Sequence, residues 1–311
     1  MSNILTITLN PTIDKSTFVK SLIPDQKLRC GEAKFEPGGG GINVSRAIKR
    51  LGGDSIAWFL AGGFFGDFFI EMIRQKDLLH HPFRIKNETR ESLILFEELT
   101  AKQYLLDMIG PEVKEEEWQI LLNALEELQS IEYIVASGSL PPGIPVDFYA
   151  RIAKIAKNKG IKFILDTSGE ALKIALDEGV YLCKPNLREL GLLVGSEKLD
   201  IETAKIKAKE IIDAQKSEVV VVSLGAEGAL LVSKDLTQHI LPPHAEKKST
   251  VGAGDSMVAG MIFSLSNGKT LHEAFRYGIA CGTAATMNAG TTLCKKEDAD
   301  ALYLKITNEK L

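Results

Sequence analysis

Between Thr250 and Ser256 the chain reads Thr-Val-Gly-Ala-Gly-Asp-Ser, a glycine-rich turn that runs straight into a helical pattern. Gly252 and Gly254 permit backbone conformations that turn successive N–H groups the same way, and a helix N-terminus adds positive potential. Gly252, Ala253 and Gly254 therefore read as an anion hole. A phosphoryl group in transfer spreads its charge over equatorial oxygens, which fixed amides stabilise without reorganising. Asp255 beside them is placed to accept a hydroxyl proton. The competing reading is structural, with Asp255 as a helix N-cap and the glycines as its turn.

Two further clusters carry chemistry. Pro37-Gly-Gly-Gly-Gly41 precedes a helix containing Asn43, and together they read as a polyol site. Glycines let a ligand approach the backbone, and an amide both donates to and accepts from hydroxyls. Lys184-Pro-Asn-Leu-Arg-Glu189 follows an apolar strand. Asn186 and Glu189 share one helical face, where they could hold the waters of a magnesium shell around a triphosphate. The same Asn-x-x-Glu spacing is also a capping box.

Other phosphate and hydrolase signatures fail. Gly268-Lys-Thr270 mimics the end of a P-loop, but Phe263 stands where that loop needs glycine. No GxGxxG occurs, which removes the usual dinucleotide fingerprint. Gly254-Asp-Ser256 resembles an esterase nucleophile block, yet no His follows at the Asp-x-x-His spacing.

The elements that position these residues follow from the pattern of the whole chain. Its 311 residues are 45% apolar, enough for a sizeable core, and its net charge of -4 disfavours nucleic acid as a partner. An acidic protein with an anionic substrate must gather a few Lys and Arg locally. No stretch approaches a membrane span, and Met1–Asp14 lacks the pattern of a secretory signal, so the cytoplasm is the expected compartment. Cys30, Cys183, Cys281 and Cys294 stand far apart and read as free buried thiols.

Apolar runs such as Ile4–Leu9 and Val219–Val222 alternate with helical patterns, which predicts a parallel sheet covered on both faces. The last third reads as helices at Ser256–Ser266, Leu271–Met287 and Lys295–Ile306. Lys15–Phe35 and Arg90–Asp107 break the rhythm and read as strand pairs, either a small separate sheet or edges of the main one. Pro24-Asp25 and Leu99–Lys102 supply turn signals for them.

These blocks in this order resemble the ribokinase-like sugar kinases, the PfkB family, over essentially the whole chain. Leu28-Arg-Cys30, Phe35–Val44, Ser137-Gly-Ser-Leu-Pro-Pro-Gly143 and Ser249–Met257 carry the likeness, which is strongest to members acting on fructose 6-phosphate. The resemblance implies one α/β domain over residues 1–311, a three-layer sandwich with a mostly parallel sheet and a small β-sheet lid from about 15–35 and 90–107. It implies ATP-dependent phosphorylation of fructose 6-phosphate at its 1-hydroxyl, with Asp255 as base and Gly252–Gly254 as anion hole.

By the same likeness Asp14, Gly39 and Asn43 hold sugar hydroxyls, while Lys27, Arg29, Arg90 and Ser139 approach the substrate and its 6-phosphate. Lys184, Asn186 and Glu189 serve the nucleotide phosphates and magnesium, and Ser223, Gly225 and Gly228 line the nucleotide pocket. A monovalent-cation site, for potassium, falls near Ser249, Val251, Asn288 and Gly290, although Thr292 replaces an Arg of the family pattern. The lid implies a homodimer, with Phe18, Val19, Leu93, Leu95 and Leu105 as its apolar contacts. Kinases of tagatose 6-phosphate or fructose 1-phosphate usually read Gly-Gly-Lys-Gly where this chain has Gly38–Gly41, and a lysine at position 40 would reach into the sugar pocket. A silent sugar-phosphate sensor is the alternative from another class, which intact Asp255 opposes.

Overall fold

Strands buried at every position belong inside a sheet that is covered on both faces, and Ile4–Thr8 and Tyr133–Ser137 are two of them. The computed structural model describes residues 3–196, 198–288 and 290–308. In order these form β1 (Ile4–Thr8), β2 (Thr12–Val19), β3 (Lys34–Gly38), α1 (Gly40–Arg50), β4 (Ile56–Gly62), α2 (Gly63–Gln75), β5 (Leu79–Ile85), β6 (Arg90–Glu97), β7 (Lys102–Asp107) and α3 (Glu115–Glu127). There follow β8 (Tyr133–Ser137), α4 (Phe148–Lys159), β9 (Lys162–Asp166), α5 (Gly169–Glu178), β10 (Val180–Cys183), α6 (Leu187–Val194), α7 (Ile201–Asp213) and β11 (Ser217–Ser223). The chain ends with β12 (Ala229–Ser233), β13 (Thr237–Ile240), α8 (Ala253–Ser266), α9 (Leu271–Thr286) and α10 (Lys296–Asn308).

The main sheet has nine strands in the order β13-β12-β11-β10-β9-β8-β1-β4-β5. Neighbours from β11 to β5 are parallel, and β12 and β13 extend one edge antiparallel. Alternation along the strands sends side chains to opposite layers. Leu5, Ile134 and Val220 pack with Trp118, Phe148 and Leu172 of α3, α4 and α5. Ile4, Tyr133 and Val221 pack instead with Val44, Met257 and Phe275 of α1, α8 and α9. Ala57 and Phe59 of β4 meet Phe69 and Ile73 of α2 in a third cluster on this second face. Burying each such large side chain stabilises by about 1.5–3 kcal/mol. The result is the expected three-layer sandwich.

Four strands stand apart in a second sheet, ordered β3-β2-β6-β7, so these stretches are not edges of the main sheet. Its register sets Asp14 beside Ser92 and Ser92 beside Asp107 at the root, and Phe18 beside Phe96 near the tip. The first stretch is less regular than its sequence suggests, because residues 20–33 form a loop around Pro24 and a polar run. That loop is anchored where Gly31 N–H donates to Phe18 O at 2.8 Å and Thr17 Oγ1 donates to Gly31 O at 2.9 Å. Buried Glu97 fastens its other end, accepting the Leu22 N–H at 2.8 Å.

Two expectations need correcting. Cys30 is exposed on this loop, whereas Cys183, Cys281 and Cys294 are buried. Of the five apolar residues expected to be presented by the small sheet, Phe18 and Leu105 are exposed, but Val19 and Leu95 are buried and Leu93 is half-buried. Phe35, Phe96, Tyr104 and Leu106 of the same sheet are exposed as well.

Candidate active site

In an open α/β sheet the carboxyl ends of the strands and the helix N-termini beyond them form the natural ligand crevice. Here β1, β8, β9 and β10 deliver Asn10, Ser137, Asp166 and Lys184 to one edge, facing the N-termini of α1 and α8. A cleft of about 950 Å³ opens there, lined among others by Asn10, Gly40, Arg90, Ser139, Asp166, Glu189 and Asp255.

The turn before α8 removes the N-cap reading of Asp255. Gly252, in the left-handed region at φ 74°, is the N-cap, and Asp255 lies inside the first turn with no capping role. The first N–H groups of a helix have no intrahelical acceptor. Thr250 O takes that of Ala253 at 3.3 Å, and Ser256 N–H already reaches Gly252 O. Of the expected Gly252–Gly254 set only the Ala253 amide is spent inside the turn, and the amides of Gly252, Gly254 and Asp255 are left to face an anion.

The Asp255 carboxylate accepts from Asn43 Nδ2 at 3.0 Å, and the Ser137 side chain beside it also favours its ionised form. Burial pushes it up to about 6, helped by the charge of Asp166 and opposed by Asn43, Lys184 and Ser137. Lys184, itself buried, sits 3.2 Å from Asp166. Burial works against its charge, but Asp166 and Asp255 outweigh that and hold the ammonium above its ordinary value. A Cβ on Gly254 would stand 3.2 Å from Lys184 Nζ, so the lysine lies directly against the helix start.

The second carboxylate, Asp14 on β2, is pushed by burial up to about 7, with Arg46 and Arg90 opposing and Asp107 and Glu36 adding. Gly38 gives it room, since a Cβ there would meet its carboxylate at 2.3 Å. Arg90 donates through Nε and Nη2 to Asn10 O, and through Nη1 to Met108 O at 3.1 Å. Nη1 also lies 3.8 Å from Asp107 Oδ1 in an ion pair, and the N–H left on each terminal nitrogen suits a phosphate oxygen that competes with that carboxylate. Ser139 Oγ accepts from Asn10 Nδ2.

Gly40 corrects the expected lysine picture. A Cβ at Gly40 would lie 2.0 Å from Ser137 Oγ and 2.9 Å from its carbonyl carbon. This backbone therefore admits no side chain at position 40 unless the end of β8 moves, and no lysine there could reach the sugar pocket without that shift. Gly39 caps α1 at φ 107°.

Not every expected residue joins the cleft. Lys27 and Arg29 are exposed on the 20–33 loop and do not line it. Asn186 turns back on its own helix, accepting Glu189 N–H at 2.8 Å while Glu189 Oε2 accepts Asn186 N–H. The capping box is real, and of the pair it is Glu189 that also borders the cleft. Ser223, Gly225 and Gly228 lie beyond it at the end of β11, where Ser223 bridges to Asn186. Gly228 backs onto Ile240 O, which would be 1.9 Å from a Cβ. Ser249 Oγ donates to Gly290 O at 3.0 Å and accepts Val251 N–H, so those two loops meet. The Asn288 side chain instead donates to Ala284 O and Leu293 O. Sequence reading passed over Asn10, Ser137 as a partner of Asp255, and Asp166. Each is a lone residue at the end of an apolar strand, and that position was the available signal.

The fold, the glycine-framed helix start and the buried aspartate define a carbohydrate kinase: residues 5–298 match the pfkB family carbohydrate kinase model, and the chain belongs to that family. It is 40% identical over 304 residues to the ATP-dependent 6-phosphofructokinase isozyme 2 of Escherichia coli strain K12, covering 97% of this chain and 98% of that protein. It is 34% identical over 285 residues to the 1-phosphofructokinase of Bacillus subtilis strain 168, covering 92% and 93%. The crystal structure of phosphofructokinase-2 from Escherichia coli in complex with potassium superposes with a TM-score of 0.95 at 40% identity, over 99% of this chain and 100% of that one.

Proposed function

We propose that the chain transfers a phosphoryl group from ATP to the 1-hydroxyl of fructose 6-phosphate, giving fructose 1,6-bisphosphate. The observation that carries this reading is the position of Asp255, in one cleft with Arg90 and Ser139 and on the first turn of α8. The likeness to 6-phosphofructokinases over nearly the full chain supports the choice of sugar.

In the proposed reaction Asp255 accepts the hydroxyl proton as the oxygen bonds to phosphorus. A carboxylate raised to about 6 is ionised at neutral pH yet basic enough for that role. The Gly252, Gly254 and Asp255 amides and the Lys184 ammonium meet the charge on the transferred group. Asp14, Gly39 and Asn43 hold sugar hydroxyls, and the Arg90 fork and Ser139 take the 6-phosphate. Lys27 and Arg29 could join them only by movement of the 20–33 loop or from a second copy. Ser223, Gly225 and Gly228 flank the nucleotide on the far side of Asn186.

Magnesium, when bound with the nucleotide, neutralises phosphate charge. Glu189 offers the hard oxygen for its water shell, while the Asn186 oxygen is spent on the helix cap. The meeting of Ser249 and Gly290 suits a potassium ion held by carbonyl and hydroxyl oxygens. One domain spans residues 1–311 in this reading, and its four-stranded sheet closes over the sugar to exclude water. The exposed Phe18, Phe96 and Leu105 pair with the same sheet of a second copy. Among the described residues no helix is long and apolar enough to cross a membrane, and the proposed compartment is the cytoplasm.

The test is a coupled assay on fructose 6-phosphate, tagatose 6-phosphate and fructose 1-phosphate with ATP. The expected result is highest kcat/KM on fructose 6-phosphate. Preference for either rival overturns the sugar, and no turnover on any of them favours a sensor.

A further inference from the structure

Arg46 lies on α1, 4% exposed, one turn after Asn43. A guanidinium that deep in the protein needs its donors matched, and each acceptor it meets is informative. Nη2 pairs with Glu36 Oε1 at 2.6 Å. Nη1 donates to Pro37 O at 2.7 Å and to Asn43 Oδ1 at 3.0 Å. Glu36 in turn accepts from Thr291 Oγ1 at 2.6 Å. Burial opposes the Glu36 charge, but Arg46 and Thr291 hold that carboxyl below its ordinary value.

The chemistry of the chain fixes its direction. An arginine only donates, so the Asn43 group facing it must be the carbonyl oxygen. The other end of that amide is then the NH₂ group, and it points at Asp255 Oδ2. Without Arg46, the Asn43 amide could turn over and present its oxygen to the carboxylate, replacing an attraction with a repulsion.

We propose that Arg46 is a positioning residue for the proposed base: through Asn43 it holds a donor on Asp255, and through Glu36 it ties that arrangement to β3 and to Thr291 beyond α9. This rests on the reading of Asp255 as the general base. The five connected residues belong to four places in the chain: Thr291 before α10, Glu36 on β3, Arg46 and Asn43 on α1, and Asp255 on α8. The sheet that closes over the sugar and the loop beside Gly290 thus share one polar path with the base. Asp255 is also faced by Asp166 from β9, Lys184 after β10 and Ser137 from β8, and Arg46 by Asp14 from β2 and Arg50 on its own helix.

A donor on the ionised carboxylate lowers its pKa, so losing it moves the acid limb of kcat to higher pH. The experiment measures kcat against pH at saturating ATP and sugar phosphate for wild type, Arg46→Met, Arg46→Lys and Thr291→Val, with circular dichroism to establish folding. Saturation isolates the bound complex, which removes effects of Arg46 on sugar affinity through Asp14. Arg46→Met is expected to move the limb up by about one pH unit, the effect of one hydrogen bond to a charged group, so that kcat falls about twofold at neutral pH and about tenfold below the limb. Lysine keeps the pairing with Glu36 and restores part of both. Thr291→Val moves the limb the same way by less. A folded Arg46→Met with an unmoved limb overturns the proposal, as does a lysine variant no better than methionine. Should Arg46→Met fail to fold, an unmoved limb in Thr291→Val decides against it. Asp255→Asn separates the two readings: full activity there removes the base, whereas an inactive Asp255→Asn beside an unmoved Arg46→Met limb removes the relay alone.

Discussion

The carboxyl edge of the main sheet and the four-stranded sheet beside it solve opposite problems. At the first, charges are buried and answered in place: Lys184 on Asp166, Arg46 on Glu36, Asn43 on Asp255. At the second, Phe18, Phe96 and Leu105 remain 42–52% exposed near the tip, and the polar residues Asp14, Ser92 and Asp107 gather at the root. One region pairs its charges within the chain and the other leaves apolar side chains exposed. The proposed chemistry falls in the first and the proposed recognition of the sugar phosphate in the second. Changes at the first should act on kcat, and changes at the second on KM.

The sharpest way to break that division is Asp255→Asn. A positioned general base contributes about 10²- to 10⁴-fold, and kcat is expected to fall by that much with sugar binding retained, measured by turnover and calorimetry. The same variant should melt higher above pH 6. The Asp255 carboxyl rises from 3.8 to about 6 on folding, so its contribution to stability is present below its ordinary value and lost as pH climbs through the folded one. Asparagine removes that loss, and thermal melts across pH read it.

Arg90→Ala should next raise KM for fructose 6-phosphate by about 10- to 150-fold, the cost of losing a charge-assisted pair of bonds, with KM for ATP nearly unmoved. Equal rises in both constants would erase the division. With the carboxyl of Asp14 pushed up to about 7, kcat/KM for the sugar should fall about tenfold per pH unit below that value, while kcat holds until nearer pH 6. Initial rates at low and saturating sugar separate the two limbs. The smallest effect expected is from Leu105→Asp, a few-fold rise in sugar KM with a weakened dimer in sedimentation, since a charge at an apolar contact is left unpaired.

How far this was readable in advance also differs between the regions. The alternation of strands and helices and the unbroken Val219–Val222 run announced the main sheet, because burial on two faces leaves no polar residue to interrupt the signal. The glycine turn and Asp255 were legible because helix starts and anion holes demand particular residues. Ser137, Asp166 and Arg46 were not, since their roles come from strands and helices far apart in the chain meeting at one edge. Asn186 misled for a plainer reason: a capping box and a metal-water site ask for the same pair. In the small sheet, alternation located the strands but did not reveal that Val19 and Leu95 face inward while Phe35 and Leu106 face out.

The place of β1 has a consequence for how the chain is made. It is made before every other strand described here, yet it sits inside the sheet, with Leu5 beside Ile56 on one side and Ile4 beside Tyr133 on the other. Its second edge stays open until β8 has been synthesised, and parallel pairing across so long a stretch closes slowly. An N-terminal half released early would present that edge and the exposed tip of the small sheet together, two templates for pairing with the wrong strand. The central strand therefore makes completion of the chain past β8 a condition of its solubility.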